Sequence, residues 1–154
     1  MEYHILRRIK REIEQLISSD ICIEEQTEIQ RVDNEFIVNI KNLIDDKNFE
    51  FTMSNYHPFK PPKLFINNKL VSFHHKFASE EFRNSLLKYT GIECFCCETI
   101  LCGNNWSPQF TLKDIICDIN KYINARHQVV IRIIVDVIKR KYLIDDVNII
   151  EWLY

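Results

Sequence analysis

Cysteine is the residue type of this sequence whose number and spacing most clearly indicate chemistry. The 154-residue chain contains six cysteines, and four of them fall within nine residues: Cys94, Cys96, Cys97 and Cys102. A thiolate is a strong nucleophile and a soft metal ligand, and an unperturbed thiol ionises with a pKa of about 8.5. The cluster therefore predicts either an exposed nucleophilic thiol or a metal site.

A structural zinc site is the metal alternative, because His74 and His75 could complete the ligand set. Zinc sites of this kind usually carry two pairs of cysteines with two residues between the members of each pair, and only Cys94 and Cys97 keep that spacing here. The sequence therefore favours a nucleophile, and we expect neither a metal nor a cofactor.

The elements that must position the cluster form an α+β pattern. Helical spacing of apolar residues predicts an N-terminal amphipathic helix over 6–17. Alternating or β-rich runs predict strands over 21–29, 35–43, 48–53 and 64–71. Later helices are predicted over 77–89, 112–123, 130–138 and 145–153. Strands followed by helices indicate an antiparallel meander sheet of three to four strands with C-terminal helices, in a single domain over 1–154.

The segment 56–63, Tyr-His-Pro-Phe-Lys-Pro-Pro-Lys, contains three of the four prolines and interrupts this pattern. Proline lacks an amide donor and fixes φ, so the segment predicts an extended, rigid loop. Cys22 and Cys117 lie far from the cysteine cluster, and Cys117 falls within an apolar helix. We expect both to be small buried side chains.

The overall composition excludes several classes of partner. Hydrophobic residues make up 46% of the chain, charged residues 27%, and the formal net charge is -2. Because there is no basic stripe and no apolar run long enough for a bilayer, we expect neither nucleic-acid nor membrane binding. The first residues lack a signal-peptide pattern, which predicts a cytoplasmic or nuclear protein with reduced thiols.

Four segments, taken in order, resemble ubiquitin-conjugating enzymes. The run Leu-Arg-Arg-Ile-Lys-Arg-Glu-Ile at 6–13 is similar to that family's opening helix, and residues 56–63 are similar to its Tyr-Pro-Phe-Lys-Pro-Pro-Lys stretch with one extra residue. Cys-Glu-Thr-Ile-Leu at 97–101, followed by Trp-Ser-Pro at 106–108, resembles the active-site run, and residues 111–116 resemble the helix after it. The resemblance implies a ubiquitin-conjugating-enzyme-like fold for the chain.

The resemblance also implies that Cys97 is the catalytic cysteine. A conjugating enzyme takes ubiquitin or a ubiquitin-like protein from an activating enzyme as a thioester, and passes it to a lysine amine or to a ubiquitin ligase. Counting back from Ile100 and Leu101 selects Cys97, whereas counting forward from Gly91 selects Cys94. The first count is preferred because the second requires three extra residues in the loop that holds the thiol.

Two surfaces are expected to bind partner proteins. In the family, the opening helix contacts the activating enzyme and ligases, and the proline-rich and Trp-Ser-Pro loops contact ligases. The matching residues here are Arg7, Arg8, Arg11, Phe59, Pro108 and Gln109. If the arginines bind no partner, they are ordinary charged residues on the exposed face of an amphipathic helix. We expect Phe59 to be half-buried and close to Pro108 and Gln109.

The chain departs from the family where the oxyanion of the transfer step is stabilised. The family carries a His-Pro-Asn triplet before its cysteine, and Ser72, Phe73 and His74 take that place here. His74 is then the candidate catalytic donor, with Asn104 or Asn105 as substitutes. The missing asparagine also supports an alternative function, a catalytically inactive variant that binds ubiquitin or another partner.

Overall fold

The computed structural model describes residues 2–19, 27–42, 46–71 and 79–142. The elements in chain order are α1 (Glu2–Ile17), β1 (Glu28–Val32), β2 (Glu35–Lys41), β3 (Asn48–Ser54), β4 (Lys63–Ile66), β5 (Lys69–Leu70), α2 (Glu80–Thr90), α3 (Phe95–Glu98) and α4 (Leu112–Tyr142). The predicted α+β class, with an N-terminal helix, an antiparallel sheet and later helices, is confirmed.

The chain divides into two compact units. The first comprises Met1–Phe73 and Cys96–Asp118, and the second comprises His74–Phe95 and Ile119–Tyr154. The helix α1 and the whole sheet belong to the first unit, and α2 belongs to the second. The assignment of 1–154 to a single domain stays a prediction.

The sheet is a meander with the strand order β1-β2-β3-β4-β5, and every neighbouring pair is antiparallel. Side chains alternate between its two faces, so Val38 and its partner Phe51 are fully buried whereas the next pair, Ile37 and Thr52, is only half-buried. The predicted alternation of apolar and polar residues is therefore the alternation between a core face and an outer face.

The predicted fourth strand over 64–71 is two strands joined by a tight hairpin, which gives the sheet five strands rather than three or four. Asn67 and Asn68 have positive φ values of 49° and 63°. Two consecutive residues in the left-handed region define the turn that suits the twist of a two-residue hairpin, and asparagine tolerates that conformation well. Because apolar residues lie on both sides of the turn, the sequence pattern over 64–71 resembles that of a single strand.

The first predicted strand, over 21–29, overlaps β1 at Glu28 and Ile29 within the described part, and β1 continues to Val32. Residues 20–26 lie outside the described part. The terminal helix predicted over 145–153 also lies outside it. The strands predicted over 35–43 and 48–53 agree with β2 and β3 within two residues in the described part.

The core of the first unit contains one face of α1 and the first turns of α4. The predicted helix over 6–17 is confirmed, and α1 begins four residues earlier, at Glu2. Its apolar stripe is buried, as are the first apolar residues of α4: Ile5, Ile9, Ile13, Leu16, Leu112, Ile115 and Ile116. Burial of such side chains is the main source of stability for this unit.

The helix α2 in the second unit has clear start and stop signals. The Ser79 hydroxyl accepts a hydrogen bond from the Phe82 amide at 3.1 Å, which satisfies a donor at the start of the helix. Gly91 ends the helix in the left-handed conformation, and its amide donates to the Leu87 carbonyl at 2.9 Å. The helix predicted over 77–89 is thus found at 80–90, and Gly91 has a structural explanation.

The two helices predicted over 112–123 and 130–138 form one continuous helix, α4, of 31 residues. No proline or glycine occurs between Leu112 and Tyr142, so nothing in the backbone ends the helix where the apolar stripe shifts. At its start, Thr111 and Asp114 satisfy each other's hydrogen-bonding groups, since the Asp114 carboxylate accepts from the Thr111 amide and hydroxyl, both at 2.8 Å.

The expectation that Cys117 is buried is wrong, because its side chain is exposed. It lies four residues from both Lys113 and Lys121, which are also exposed, and so shares the polar face of α4. Cys22 lies outside the described residues. Among the described helices, none has the length and apolar composition that crossing a bilayer requires.

Candidate functional site

Cys97 lies on the single helical turn α3 rather than in an irregular loop. Its side chain is exposed, whereas Cys96 is half-buried, and the two sulfur atoms are 3.6 Å apart. Cys94 is half-buried and belongs to the second unit. Of these three clustered cysteines, Cys97 is therefore the most accessible to a large reactant.

The segment after Cys97 is fixed by an acidic side chain from α4. Thr99 is buried, and its hydroxyl donates to Asp118 Oδ2 at 2.7 Å. The Ile100 amide donates to the same oxygen at 3.1 Å. A carboxylate that accepts two hydrogen bonds inside a protein restrains both donors. The helical turn α3, which carries Cys97, is called the cysteine turn. Asp118 therefore anchors the residues that follow the cysteine turn to α4.

In the loop that follows, residues 102–106, one backbone carbonyl accepts two hydrogen bonds and closes a tight turn. The Cys102 carbonyl accepts hydrogen bonds from the amides of Asn105 and Trp106, both at 2.9 Å, and the Cys102 amide donates to the Thr99 carbonyl at 3.0 Å. The side-chain amide of Asn105 donates to the carbonyls of Cys97, at 2.5 Å, and Thr99, at 3.1 Å. The loop predicted to hold the thiol is therefore rigidly tied to the cysteine turn.

Trp106 joins this loop to the proline-rich loop. Its indole Nε1 donates to the Pro58 carbonyl at 2.7 Å. Its ring lies beside His57 and Phe110, with centroid separations of 6.4 and 5.9 Å. The hydrogen bond connects residues 48 positions apart. The two motifs that are distant in the sequence therefore meet in the structure.

Phe59 is 77% exposed, so the expectation of a half-buried ring is wrong. The ring follows Pro58 at the tip of the loop, where Trp106 holds the backbone and leaves the next side chain in solvent. Pro108 and Gln109 are also exposed, two and three residues after Trp106. The same hydrogen bond brings the loop of Phe59 beside the loop of Pro108 and Gln109.

The three candidate arginines of α1 have different environments. Arg7 and Arg11 are exposed and line a shallow surface hollow with Tyr3 and Lys10. Arg8 does not line this hollow, and its side chain is only 32% exposed. Arg7 and Arg11 are therefore the two arginines most accessible to a partner.

Arg8 belongs to a buried polar cluster that the sequence did not reveal. Its Nη2 donates to the carbonyls of Pro108, at 2.5 Å, and Phe110, at 3.3 Å, and its Nε donates to Glu12 Oε1 at 2.6 Å. Glu12 is 3% exposed and accepts from the Leu112 amide at 3.3 Å, at the start of α4. The only sequence signal was the four-residue spacing of Arg8 and Glu12.

His74, the candidate oxyanion donor, lies outside the described residues, as does His75. The zinc ligand set considered from the sequence includes these two histidines, so the described residues contain only part of it.

Comparisons with known proteins add no assignment. No protein-family profile, no curated protein sequence and no solved structure matches this chain.

Proposed function

We propose that this protein is a ubiquitin-conjugating enzyme that carries ubiquitin, or a ubiquitin-like protein, as a thioester on Cys97. One observation carries the proposal. The exposed Cys97 thiol precedes a loop that Trp106 ties to the proline-rich loop through a 2.7 Å hydrogen bond to Pro58. A reactive thiol needs a rigid support and an open approach, and this arrangement supplies both.

The proposed reaction transfers an acyl group between thiols. The Cys97 thiolate attacks the carbonyl carbon of the thioester between ubiquitin's C-terminus and a cysteine of the activating enzyme. A carbon–sulfur bond to Cys97 forms, the bond to the other sulfur breaks, and the electron pair leaves with that thiolate. A lysine amine then attacks the same carbon, Cys97 leaves as thiolate, and the amine gives a proton to water.

The partners of this reaction are an activating enzyme, a ubiquitin ligase and the ubiquitin that is carried. The exposed Arg7 and Arg11 offer a charged surface to the first two, and Phe59 with Pro108 and Gln109 offers a mixed aromatic and polar surface to a ligase. A thiol that must stay reduced fits the cytosol or the nucleus, and the proposal needs no metal or cofactor.

The decisive experiment mixes the protein with ubiquitin, an activating enzyme and ATP. We expect a band on a non-reducing gel that a thiol reductant removes, and Cys97→Ala should abolish it. Cys94→Ala and Cys96→Ala are matched controls and should retain it. Cys97→Ser should give a band that resists reductant, because an oxyester exchanges with thiols more slowly than a thioester.

The contrary result is equally specific. If Cys94→Ala loses the band while Cys97→Ala keeps it, the nucleophile is three residues earlier than we propose.

A second candidate function is an inactive variant that binds ubiquitin without chemistry. The replacement of the family's His-Pro-Asn triplet by Ser72, Phe73 and His74 favours it, since the usual oxyanion donor is lost. This function predicts that the unmutated protein never loads, with any activating enzyme, yet shifts the NMR signals of isotope-labelled ubiquitin. Loading at Cys97 would exclude it.

A further inference from the structure

Asn105 is the one side chain of the Cys102–Trp106 loop that reaches back to the backbone of the cysteine turn. Its Nδ2 donates to the Cys97 carbonyl at 2.5 Å and to the Thr99 carbonyl at 3.1 Å. Its own backbone is anchored, because its amide donates to the Cys102 carbonyl at 2.9 Å. Both amide hydrogens of one side chain are thus used on one short segment.

The two carbonyls lie at the end of the cysteine turn, since α3 ends at Glu98. Carbonyls at a helix end are commonly satisfied by side chains from outside the helix. Asn105 donates to both, and the Thr99 carbonyl also accepts from the Cys102 amide at 3.0 Å. The turn that carries the thiol is therefore completed by a residue eight positions later in the chain.

Asp118 holds the same segment through different groups. It accepts from the Thr99 hydroxyl and the Ile100 amide, whereas Asn105 donates to the carbonyls of Cys97 and Thr99. The segment from Cys97 to Ile100 is therefore restrained by one acceptor and one donor side chain. Of these two side chains, Asn105 is the one that bonds to the backbone of Cys97 itself.

We propose that Asn105 is the positioning residue that orients the Cys97 thiol toward the incoming thioester. The inference rests on the proposed function, in which Cys97 is the nucleophile. Asn105 does not act on the oxyanion, because both of its N–H groups are used by the carbonyls of Cys97 and Thr99. It acts through the backbone of Cys97, and displacement of a reacting group by about 1 Å costs about 100-fold in rate.

The test uses two variants of Asn105 and one of an asparagine on α4. Asn105→Ala removes both donors, and Asn105→Asp keeps the shape but turns an oxygen toward two carbonyls. Asn124→Ala is the matched control, since Asn124 is exposed and its side chain makes no hydrogen bond within the described part of the chain. Each variant is assayed for loading by an activating enzyme already charged with ubiquitin.

We expect both Asn105 variants to lower kcat for loading by about 10- to 100-fold, with KM within about twofold, and Asn124→Ala to match the unmutated protein. Alkylation of Cys97 by N-ethylmaleimide, followed by mass spectrometry, should stay within about twofold, because a small reagent needs access rather than orientation. A merely structural role would instead lower Tm and expose the half-buried Cys96 to the reagent.

Hydrogen exchange tests whether Asn105 restrains the cysteine turn, and it does so independently of whether the protein loads ubiquitin. Amides of a peptide covering 95–102 should exchange at least about tenfold faster in Asn105→Ala, because the turn loses its restraint. If the unmutated protein never loads, the proposed function fails, and unchanged exchange would also overturn the holding role of Asn105. If the protein loads and Asn105→Ala loads equally fast, the inference is wrong whatever the exchange shows.

Discussion

The environment of Glu12 decides what its carboxylate contributes to the stability of the fold. In the sequence it is one of several charged residues on an amphipathic helix, yet its carboxylate is buried between Arg8 and the Leu112 amide. A buried charge is tolerated only when it is paired and hydrogen-bonded. The positive end of the α4 dipole, where the Leu112 amide lies, adds a favourable interaction with the carboxylate.

Removal of this carboxylate should destabilise the protein. We expect Glu12→Ala to lower the free energy of unfolding by about 2–4 kcal/mol, because Arg8 loses its ion pair and the Leu112 amide loses an acceptor. We expect the decrease to lie near the lower end of this range, because the Arg8 side chain is 32% exposed and solvent weakens its ion pair. Urea unfolding followed by tryptophan fluorescence measures the change.

The control for Glu12 is Glu14, an exposed glutamate on the same helix. Glu14→Ala should change the free energy of unfolding by no more than about 0.5 kcal/mol. Equal effects of the two substitutions would mean that the Arg8–Glu12–Leu112 cluster contributes nothing specific.

The helix α4 is the element whose extent the sequence pattern misjudged. Its apolar stripe shifts between Ile123 and Val130, which suggests two helices, but the intervening residues include good helix formers and no proline or glycine. Ala125 and Val129 are buried inside this stretch, so its apolar side chains are packed rather than exposed as in a surface connection. Packing and propensity therefore agree on a continuous helix.

A glycine in this stretch tests that continuity. Gln128 is exposed in the middle of α4, so its side chain contributes little packing. We expect Gln128→Gly to lower the free energy of unfolding by about 1 kcal/mol relative to Gln128→Ala, the difference of their helix propensities. Urea unfolding followed by circular dichroism at the helical band measures it. If glycine were as stable as alanine there, residues 124–129 would be a connection and not helix.

In the molecule as a whole, the first unit brings together the parts on which the proposed function depends. Its core packs α1, the sheet and the start of α4, and the Trp106 hydrogen bond joins the two loops at its surface. The exposed Phe59 ring is then an apolar group that this unit holds in solvent. An exposed aromatic side chain on a rigid loop is typical of an interaction site.

Phe59→Ala should affect partner binding rather than chemistry. We expect it to reduce ligase-stimulated transfer by at least about fivefold, the effect of about 1 kcal/mol of lost contact, with thioester loading unchanged. The measurement is the rate of ubiquitin discharge with and without a ligase. Leu70→Ala is the control, since Leu70 is exposed by 56% but lies in β5, outside both loops. Slower loading by Phe59→Ala would contradict the separation of roles.

The amino-acid sequence by itself determined the elements whose signals act over a few residues. The stripe of α1, the alternation of β2 and β3, and the helical spacing of apolar residues over 77–89 all predicted structure at nearly the right positions. Helical period and strand alternation depend on neighbours within one or two turns. The resemblance of residues 97–108 to a known active-site run singled out Cys97, which is exposed in the structure.

Only the tertiary structure decided which polar residues work together. Glu12 meets the Leu112 amide across 100 positions, and Trp106 meets Pro58 across 48, so no local pattern connects them. Likewise the exposure of Phe59 follows from where Trp106 holds the loop, and not from the aromatic character of the residue. Burial and hydrogen bonding are properties of the packed chain, and a sequence shows them only where the partners are close along it.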